Sequence, residues 1–262
     1  MTPMKRRITR LIVLRRPAKP TARTVESKEG PRVSPTARIA AGAQVTERAT
    51  VGRAAVALGA VTVADHAILT EHAMLGGTAV ARGRAVISGW SAVIERATVD
   101  GDAWVFGRAA VRGDASIAGH AQVFGDATVG GGAVVDGNAW VHGNATVTDD
   151  AWVTGRAQIG GDAIICGTAT ISGSLRIGGH TVIGNGAEIT CRTDYESHQL
   201  SWGESITLYR CDDGGVGIGR SEKVHGPVAL GRIHLPDARL GARLDELREL
   251  WGAGAALTLA DD

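Results

Sequence analysis

The chain has 262 residues, of which 44% are hydrophobic but only 4% are aromatic, and it contains 37 glycines. This composition excludes a core built on large rings and predicts small aliphatic side chains interrupted by glycine. The three cysteines, Cys166, Cys191 and Cys211, have no paired spacing, which argues against a disulfide framework or a zinc knuckle and fits a reducing compartment.

The N-terminal segment 1–23 is strongly basic, with eight lysines and arginines and no acidic side chain. The rest of the chain is acidic, because it keeps 20 of the 28 basic side chains and all 27 acidic ones. We predict that residues 1–35 form a basic, disordered arm or an N-terminal cap, and a weak contact with an anionic surface stays open. The apolar run at 11–14 is too short for a secretory signal or a membrane span, which predicts a cytoplasmic protein.

An aliphatic residue recurs at every sixth position between Ile39 and Ile189 without a change of phase. Valine, isoleucine or leucine occupies 24 of these 26 positions, and alanine stands two places before the aliphatic position in 22 cases. A period of two indicates extended chain, so both residues of such a pair point to one face and the residue between them points to the other. We therefore predict a column of buried aliphatic side chains.

Glycine stands two places after many of the aliphatic positions, as at Gly107, Gly125 and Gly143, and aspartate or asparagine often comes next. These residue types favour bends, since glycine adopts unusual backbone angles and short polar side chains bond to nearby backbone groups. Three repeats, each a short strand and a bend, can close one triangular coil. The pattern predicts an all-β fold, a single-stranded parallel β-helix of about nine coils over residues 36–190, roughly 40 Å long.

Outward side chains at equivalent positions of successive coils are expected to lie one above another on the same face of this solenoid. One face carries five large side chains on three consecutive coils, and we call them the aromatic ladder: Trp104, Phe106, Phe124, Trp140 and His142. Clustered exposed rings are typical of interaction surfaces. We predict that the aromatic ladder binds a second copy of the chain, another segment of the same chain or an unknown protein partner, with simple exposed surface as the remaining alternative.

Residues 191–262 follow the last coil and are predicted to form a small α+β segment, a hairpin-plus-helix cap or adaptor. Residues 205–210 read as a strand, 212–215 as a turn and 216–218 as a returning strand. Four leucines at helical spacing predict a helix after this hairpin: Leu240, Leu244, Leu247 and Leu250. Such a cap would cover strand edges that otherwise invite polymerisation.

The segments Gly-Asp-Ala-Trp-Val-Phe-Gly at 101–107 and Gly-Asn-Ala-Trp-Val-His-Gly at 137–143 resemble hexapeptide-repeat proteins. The stretch Ile-Gly-Asn-Gly-Ala at 183–187 is closest to the motif usual in that family. The resemblance covers residues 37–190 and extends to uncharacterised bacterial and phage-borne arrays. It implies a left-handed parallel β-helix and a homo-oligomer, with a trimer as one form, because family members are often trimers.

Hexapeptide-repeat acyltransferases place a histidine base beside a loop that leaves the solenoid, and the unbroken register here predicts no such loop. Four histidines at bends are interpreted as solvated corner residues: His66, His72, His120 and His180. The related carbonic anhydrases need a His-x-x-x-x-His spacing that the sequence lacks, so neither a metal nor a cofactor is predicted. The polar segment 191–198, with two acids, a histidine and a thiol, is interpreted as a solvated exit from the solenoid.

The sequence thus favours a structural or interaction protein without catalytic residues, a rigid scaffold that presents the aromatic ladder. The alternative is an acyl-coenzyme-A-dependent acyltransferase-like enzyme whose site is assembled between subunits. In that alternative the least implausible bases are His142 and His198.

Overall fold

The computed structural model describes residues 30–199, 205–212, 216–222, 226–227, 242–243, 246–247 and 258–259. Residues 1–29 of the predicted arm lie outside these described residues, as do the turn positions 213–215. Within the described part of the chain, no helix is long and apolar enough to span a membrane.

Residues 32–189 form a parallel β-solenoid of nine triangular coils, and its described strands are two residues long and fall into three sheets. Sheet 1 contains Arg32–Val33 (β1), Thr50–Val51 (β4), Ile68–Leu69 (β7), Val86–Ile87 (β10), Trp104–Val105 (β13), Gln122–Val123 (β16), Trp140–Val141 (β19), Gln158–Ile159 (β22) and Arg176–Ile177 (β25). Sheet 2 contains Arg38–Ile39 (β2), Val56–Ala57 (β5), Met74–Leu75 (β8), Ala92–Val93 (β11), Ala110–Val111 (β14), Thr128–Val129 (β17), Thr146–Val147 (β20), Ile164–Ile165 (β23) and Val182–Ile183 (β26). Sheet 3 contains Gln44–Val45 (β3), Thr62–Val63 (β6), Val80–Ala81 (β9), Thr98–Val99 (β12), Ser116–Ile117 (β15), Val134–Val135 (β18), Trp152–Val153 (β21), Thr170–Ile171 (β24) and Glu188–Ile189 (β27).

The predicted column of aliphatic side chains is confirmed, because all 26 positions are buried. The alanines two places earlier are buried with them and keep the interior narrow. The strand before the predicted start at residue 36, β1, continues the same period, since Val33 packs against the buried column and pairs with Val51. The predicted all-β solenoid of triangular coils is thus the observed architecture.

Many hydrogen bonds between coils run from one coil to the following one. The N–H of the first residue of a strand and the N–H of the residue after the strand donate to carbonyls of the following coil, as when the Trp104 N–H donates to the Ala121 carbonyl at 2.9 Å. The Phe106 N–H donates to the Val123 carbonyl in the same way at 3.0 Å. N–H groups of this kind have no following coil at the C-terminal end of the stack, so they need other acceptors there.

The corners of the triangle contain backbone in the left-handed region, as the glycine pattern predicts. Gly125 has φ 76°, and a Cβ atom added there would lie 3.0 Å from the backbone nitrogen of Gly143 on the next coil. At five described corners an acidic residue adopts positive φ instead. At four of these corners the carboxylate accepts from the glycine N–H at the same corner of the next coil at 2.7–2.9 Å: Asp65, Glu71, Glu95 and Asp149. These carboxylates stabilise neighbouring corners, a role that the sequence pattern does not predict.

A small antiparallel sheet follows the solenoid. After a 3-10 turn at Arg192–Asp194, it comprises Tyr195–Gln199 (β28), Ser205–Arg210 (β29), Val216–Glu222 (β30) and Gly226–Pro227 (β31), while Thr258–Leu259 (β32) pairs in parallel with β30. The predicted hairpin of β29 and β30 is confirmed.

The interpretation of 191–198 as a solvated exit is correct only in part, because residues 191–193 and 197 are exposed but the rest of the segment is not. Asp194 and Tyr195 are buried, and β28 pairs with β29 along its whole length. Of the predicted helix, residues 242–243 and 246–247 are helical and Leu247 is buried. The other three leucines, Leu240, Leu244 and Leu250, lie outside the described residues.

The 3-10 turn and the antiparallel sheet satisfy N–H groups at the end of the last coil. The Val182 N–H donates to Oγ1 of Thr207 at 3.1 Å, and Oδ2 of Asp194 accepts from the Thr190 and Cys191 N–H groups at 2.8 Å. Burial raises the pKa of Asp194, whereas these hydrogen bonds lower it. Together the hydrogen bonds have the larger effect, so the pKa lies below its ordinary value. Side-chain acceptors therefore replace the carbonyls that a tenth coil would have supplied.

Candidate functional site

The aromatic ladder lies on the outer face of sheet 1, as the repeat of the triangular coil predicts. The parallel register aligns Trp104 of β13 with Gln122 of β16 and then with Trp140 of β19. Phe106, Phe124 and His142 come directly after these strands on the same three coils. The structure therefore brings all five predicted side chains together.

Three rings of the aromatic ladder form a continuous stack. The Phe106 and Phe124 centroids lie 4.9 Å apart with an interplanar angle of 4°, and the Phe124 and His142 centroids lie 5.2 Å apart with an angle of 15°. These separations match the spacing of about 4.8 Å between neighbouring strands. The backbone repeat thus fixes the ring spacing.

The two indoles stand against the edges of this stack. Trp104 meets Phe106 at 6.4 Å and 80°, and Trp140 meets Phe124 at 6.2 Å and 73°, both of them edge-on geometries that aromatic pairs favour. Trp104 is 50% exposed and Trp140 is 38% exposed, whereas the three stacked rings are half-buried. The solvent-facing part of the surface is therefore mainly indole.

A glycine accommodates the last ring of the stack. A Cβ atom added to Gly160, on the coil after His142, would lie 2.4 Å from a carbon of the imidazole ring. Any side chain at this position would displace the ring from its stack on Phe124. The imidazole of His142, one of the two candidate bases, is therefore held within the stack.

Paired charges border the aromatic ladder at both corners of sheet 1. At the corner that precedes the strands, the Arg84 guanidinium donates to Asp102 at 2.5 Å, and Nδ1 of His120 lies 3.6 Å from the same carboxylate. At the following corner, Arg108 donates to Asp126 at 2.8 Å. The arginine hydrogen bonds lower the pKa of Asp102 and of Asp126, so both carboxylates are ionised at neutral pH.

A further ring pair lies beside the aromatic ladder, and sequence reasoning missed it. Trp90 is 68% exposed and stacks on His72 with a centroid distance of 4.1 Å and an angle of 9°. The two rings occupy the same corner, between sheets 1 and 2, on successive coils. The sequence places His72 and Trp90 at equivalent positions of successive coils, which could have predicted their contact. The interpretation of His72 as a solvated corner residue gives it no ring partner. Trp152, 46% exposed, lies on sheet 3 and does not belong to this surface.

The second candidate base lines a cleft in the C-terminal region. Nε2 of His198 lies 3.4 Å from Oε2 of Glu196, whose carboxylate also accepts from the Arg243 guanidinium at 3.0 Å. The Arg243 hydrogen bonds hold the pKa of Glu196 below its ordinary value. The described lining residues enclose about 460 Å³: Arg192, Thr193, Tyr195, Glu196, Ser197, His198, Arg243 and Leu247.

The three cysteines differ in their exposure. Burial raises the pKa of Cys166 to about 11, so its thiol is protonated at neutral pH. Cys211 is buried, and Cys191 is exposed beside Thr193. Within the described residues, no group of three or more His, Cys, Asp or Glu side chains is arranged to hold a metal ion.

Comparison with solved structures finds a similarity to a UDP-N-acetylglucosamine acyltransferase from Campylobacter jejuni. The two chains share 16% sequence identity, the matched region covers 61% of this chain and 69% of that chain, and the TM-score is 0.28. No family model matches the chain, and no curated protein sequence matches it. A similarity of this size says nothing about activity, so function has to be argued from the surfaces of this chain.

Proposed function

We propose that the chain is an interaction scaffold and that the aromatic ladder is its binding surface. The observation that carries the proposal is the set of five rings linked by stacked and edge-on contacts, two of them exposed indoles, on the outer face of sheet 1. Tryptophan is enriched among the residues that dominate binding free energy at protein interfaces.

The surroundings of the aromatic ladder resemble the general anatomy of a protein interface. Such interfaces have an apolar centre with aromatic residues and a polar rim that stays near solvent. Here the five rings of the aromatic ladder occupy the centre and the Arg84–Asp102 and Arg108–Asp126 ion pairs occupy the two edges. Because each of these charges already has an opposite charge within the chain, a binding partner can cover the rim without burying an unpaired charge.

The experiment compares the parent protein with a variant that carries Trp104→Ser, Phe106→Ser and Trp140→Ser. We expect unchanged far-ultraviolet circular dichroism, because these side chains lie outside the buried column. We also expect loss of association, measured as mass in solution by light scattering and as recovery of bound proteins by affinity capture and mass spectrometry.

The matched control is Trp152→Ser, which removes an indole of similar exposure from sheet 3. We expect this variant to retain the mass and the bound proteins of the parent. The proposal fails if the triple variant folds normally and still has the parent's mass and the parent's set of captured proteins.

The alternative function, an acyl-coenzyme-A-dependent transferase, is favoured by one observation, the placement of His198 in a cleft beside Glu196, Arg192 and Arg243. Guanidinium groups bind phosphates, and a histidine near a carboxylate is a common general base. The test is a thermal shift with acetyl-coenzyme A. A rise in melting temperature that is lost in Arg192→Ala and Arg243→Ala would support the alternative, and no shift at millimolar ligand would remove it.

A further inference from the structure

We infer that the aromatic ladder binds a second copy of this chain, with the two solenoids side by side and related by a two-fold axis parallel to the solenoid axis. This inference rests on the proposed function, since it names the partner of the same surface. Its basis is the charge pattern of the two corners that border sheet 1.

A two-fold axis in this direction fixes which residues meet. It keeps the order of the coils and reverses the direction of the strands, so every coil of one chain lies level with its own counterpart. The column of residues at the start of each strand then faces the column that follows the strand. Trp104 faces the partner's Phe106, and Trp140 faces the partner's His142, so rings meet rings on both outer coils.

The same operation brings opposite charges together at the rim. Each corner that precedes a sheet 1 strand faces the partner's corner that follows it. Asp102 therefore faces the partner's Arg108. Beside this ion pair, the His120 imidazole, which can donate a hydrogen bond, faces the partner's Asp126 carboxylate. On the next coil Asn138 faces the partner's Asn144, an uncharged pair that can exchange hydrogen bonds.

The neighbouring coils continue this complementarity. On the coil before the aromatic ladder, Arg84 faces the partner's Trp90, the most exposed indole in the described structure, in an arrangement suited to a cation–π contact. On the coil after it, Arg156 faces the partner's Asp162. Symmetry repeats every such pair at the opposite edge of the interface.

The other face-to-face dimer has its two-fold axis along the strands, and the charge pattern disfavours it. That axis reverses the coil order about the coil of Phe124 and brings each corner against the same corner of the partner. Asp126 would then face the partner's Asp126, and Arg84 would face the partner's Arg156. Like charges at an interface weaken association, whereas opposite charges fix its register.

The experiment is a charge swap measured by sedimentation equilibrium. Arg108→Glu places two acidic side chains opposite each other at both edges of the dimer, and Asp102→Arg does the same with two basic side chains. We expect each variant alone to dimerise roughly tenfold more weakly than the parent, because the repulsion occurs twice. In an equimolar mixture of the two variants, both edges regain opposite charges, and we expect the dimer to return to within about threefold of the parent affinity.

The matched control is Arg96→Glu, which breaks an ion pair that also joins successive coils, Arg96 with Asp114, at the corner that does not border sheet 1. We expect this variant to dimerise like the parent. Circular dichroism and the melting temperature of each variant show whether the fold is intact.

The outcomes separate this inference from the proposed function. A monomeric parent protein, or a mixture of variants that dimerises no better than either variant alone, overturns the two-fold dimer. If the triple serine variant nevertheless loses a captured protein, the aromatic ladder remains an interaction surface with a different partner. If that variant also associates like the parent, both proposals fail.

Discussion

The solenoid and the region after it provide hydrogen-bond acceptors for backbone N–H groups in different ways. In the solenoid, backbone N–H groups donate to backbone carbonyls of neighbouring coils, as Trp104 does to Ala121 of the following coil, so the repeat supplies both hydrogen bonds and burial. At the last coil the repeat ends, and single side chains such as Asp194 and Thr207 provide the acceptors. Stability is therefore distributed over many equivalent groups in the first region and concentrated in a few groups in the second.

The largest expected effect comes from the distributed region. Ile117→Ala removes a fully buried side chain of the aliphatic column, and we expect the free energy of unfolding to fall by about 2–5 kcal/mol. The neighbouring outward residue, Ser116, provides the control, because Ser116→Ala should change the free energy of unfolding by less than about 0.5 kcal/mol. Urea unfolding followed by circular dichroism measures both. Equal effects at the two positions would contradict the buried column.

A smaller but more local effect is expected at the end of the solenoid. Asp194→Ala leaves the Thr190 and Cys191 N–H groups without their acceptor, which destabilises by about 1–3 kcal/mol. Hydrogen exchange should accelerate at these two amides and not at Val123. The exposed Asp150 gives the control, and Asp150→Ala should leave both amides protected. Unchanged exchange in Asp194→Ala would show that the end is satisfied in some other way.

The two regions also differ in how far the sequence predicts them. The six-residue period predicts the buried column, the corners and all five members of the aromatic ladder, because one repeated distance fixes every position in the solenoid. The angles between the rings and the pairing of Trp90 with His72 do not follow from the period, since they depend on how side chains lie across a corner. The strand at 195–199 is not predicted because its polar residues carry no pattern of their own, and only pairing with β29 makes it a strand.

The corners offer a third test of the repeat. Gly125 has positive φ and lies close to Gly143, so Gly125→Ala should destabilise by about 1–2 kcal/mol. Gly130 lies outside the positive-φ corners, and the nearest atoms to an added Cβ are 3.4 Å away on the Arg112 side chain. Gly130→Ala should therefore be nearly neutral in the same thermal unfolding assay. The reverse order of the two melting temperatures would contradict the corner geometry.

The smallest expected effect concerns acid. Hydrogen bonds from Arg96 lower the pKa of Asp114 below its ordinary value of 3.8. Because the pKa of Asp114 is lower in the folded state, its ion pair with Arg96 stabilises the fold above pH 3.8. This stabilisation is lost as the pH falls through the lowered pKa. The melting temperature of Asp114→Asn should therefore lie slightly below that of the parent at about pH 6, and the gap should close towards about pH 2. A gap that widens in acid would contradict this sign.

Both proposals require the aromatic ladder to become buried when the protein associates. Hydroxyl-radical footprinting, read out by mass spectrometry at increasing protein concentration, follows this burial at each indole. We expect Trp104 and Trp140 to become protected while Trp152 on sheet 3 stays reactive. Equal reactivity of all three indoles at every concentration, in a sample whose mass shows association, would contradict the assignment of the aromatic ladder as the interface.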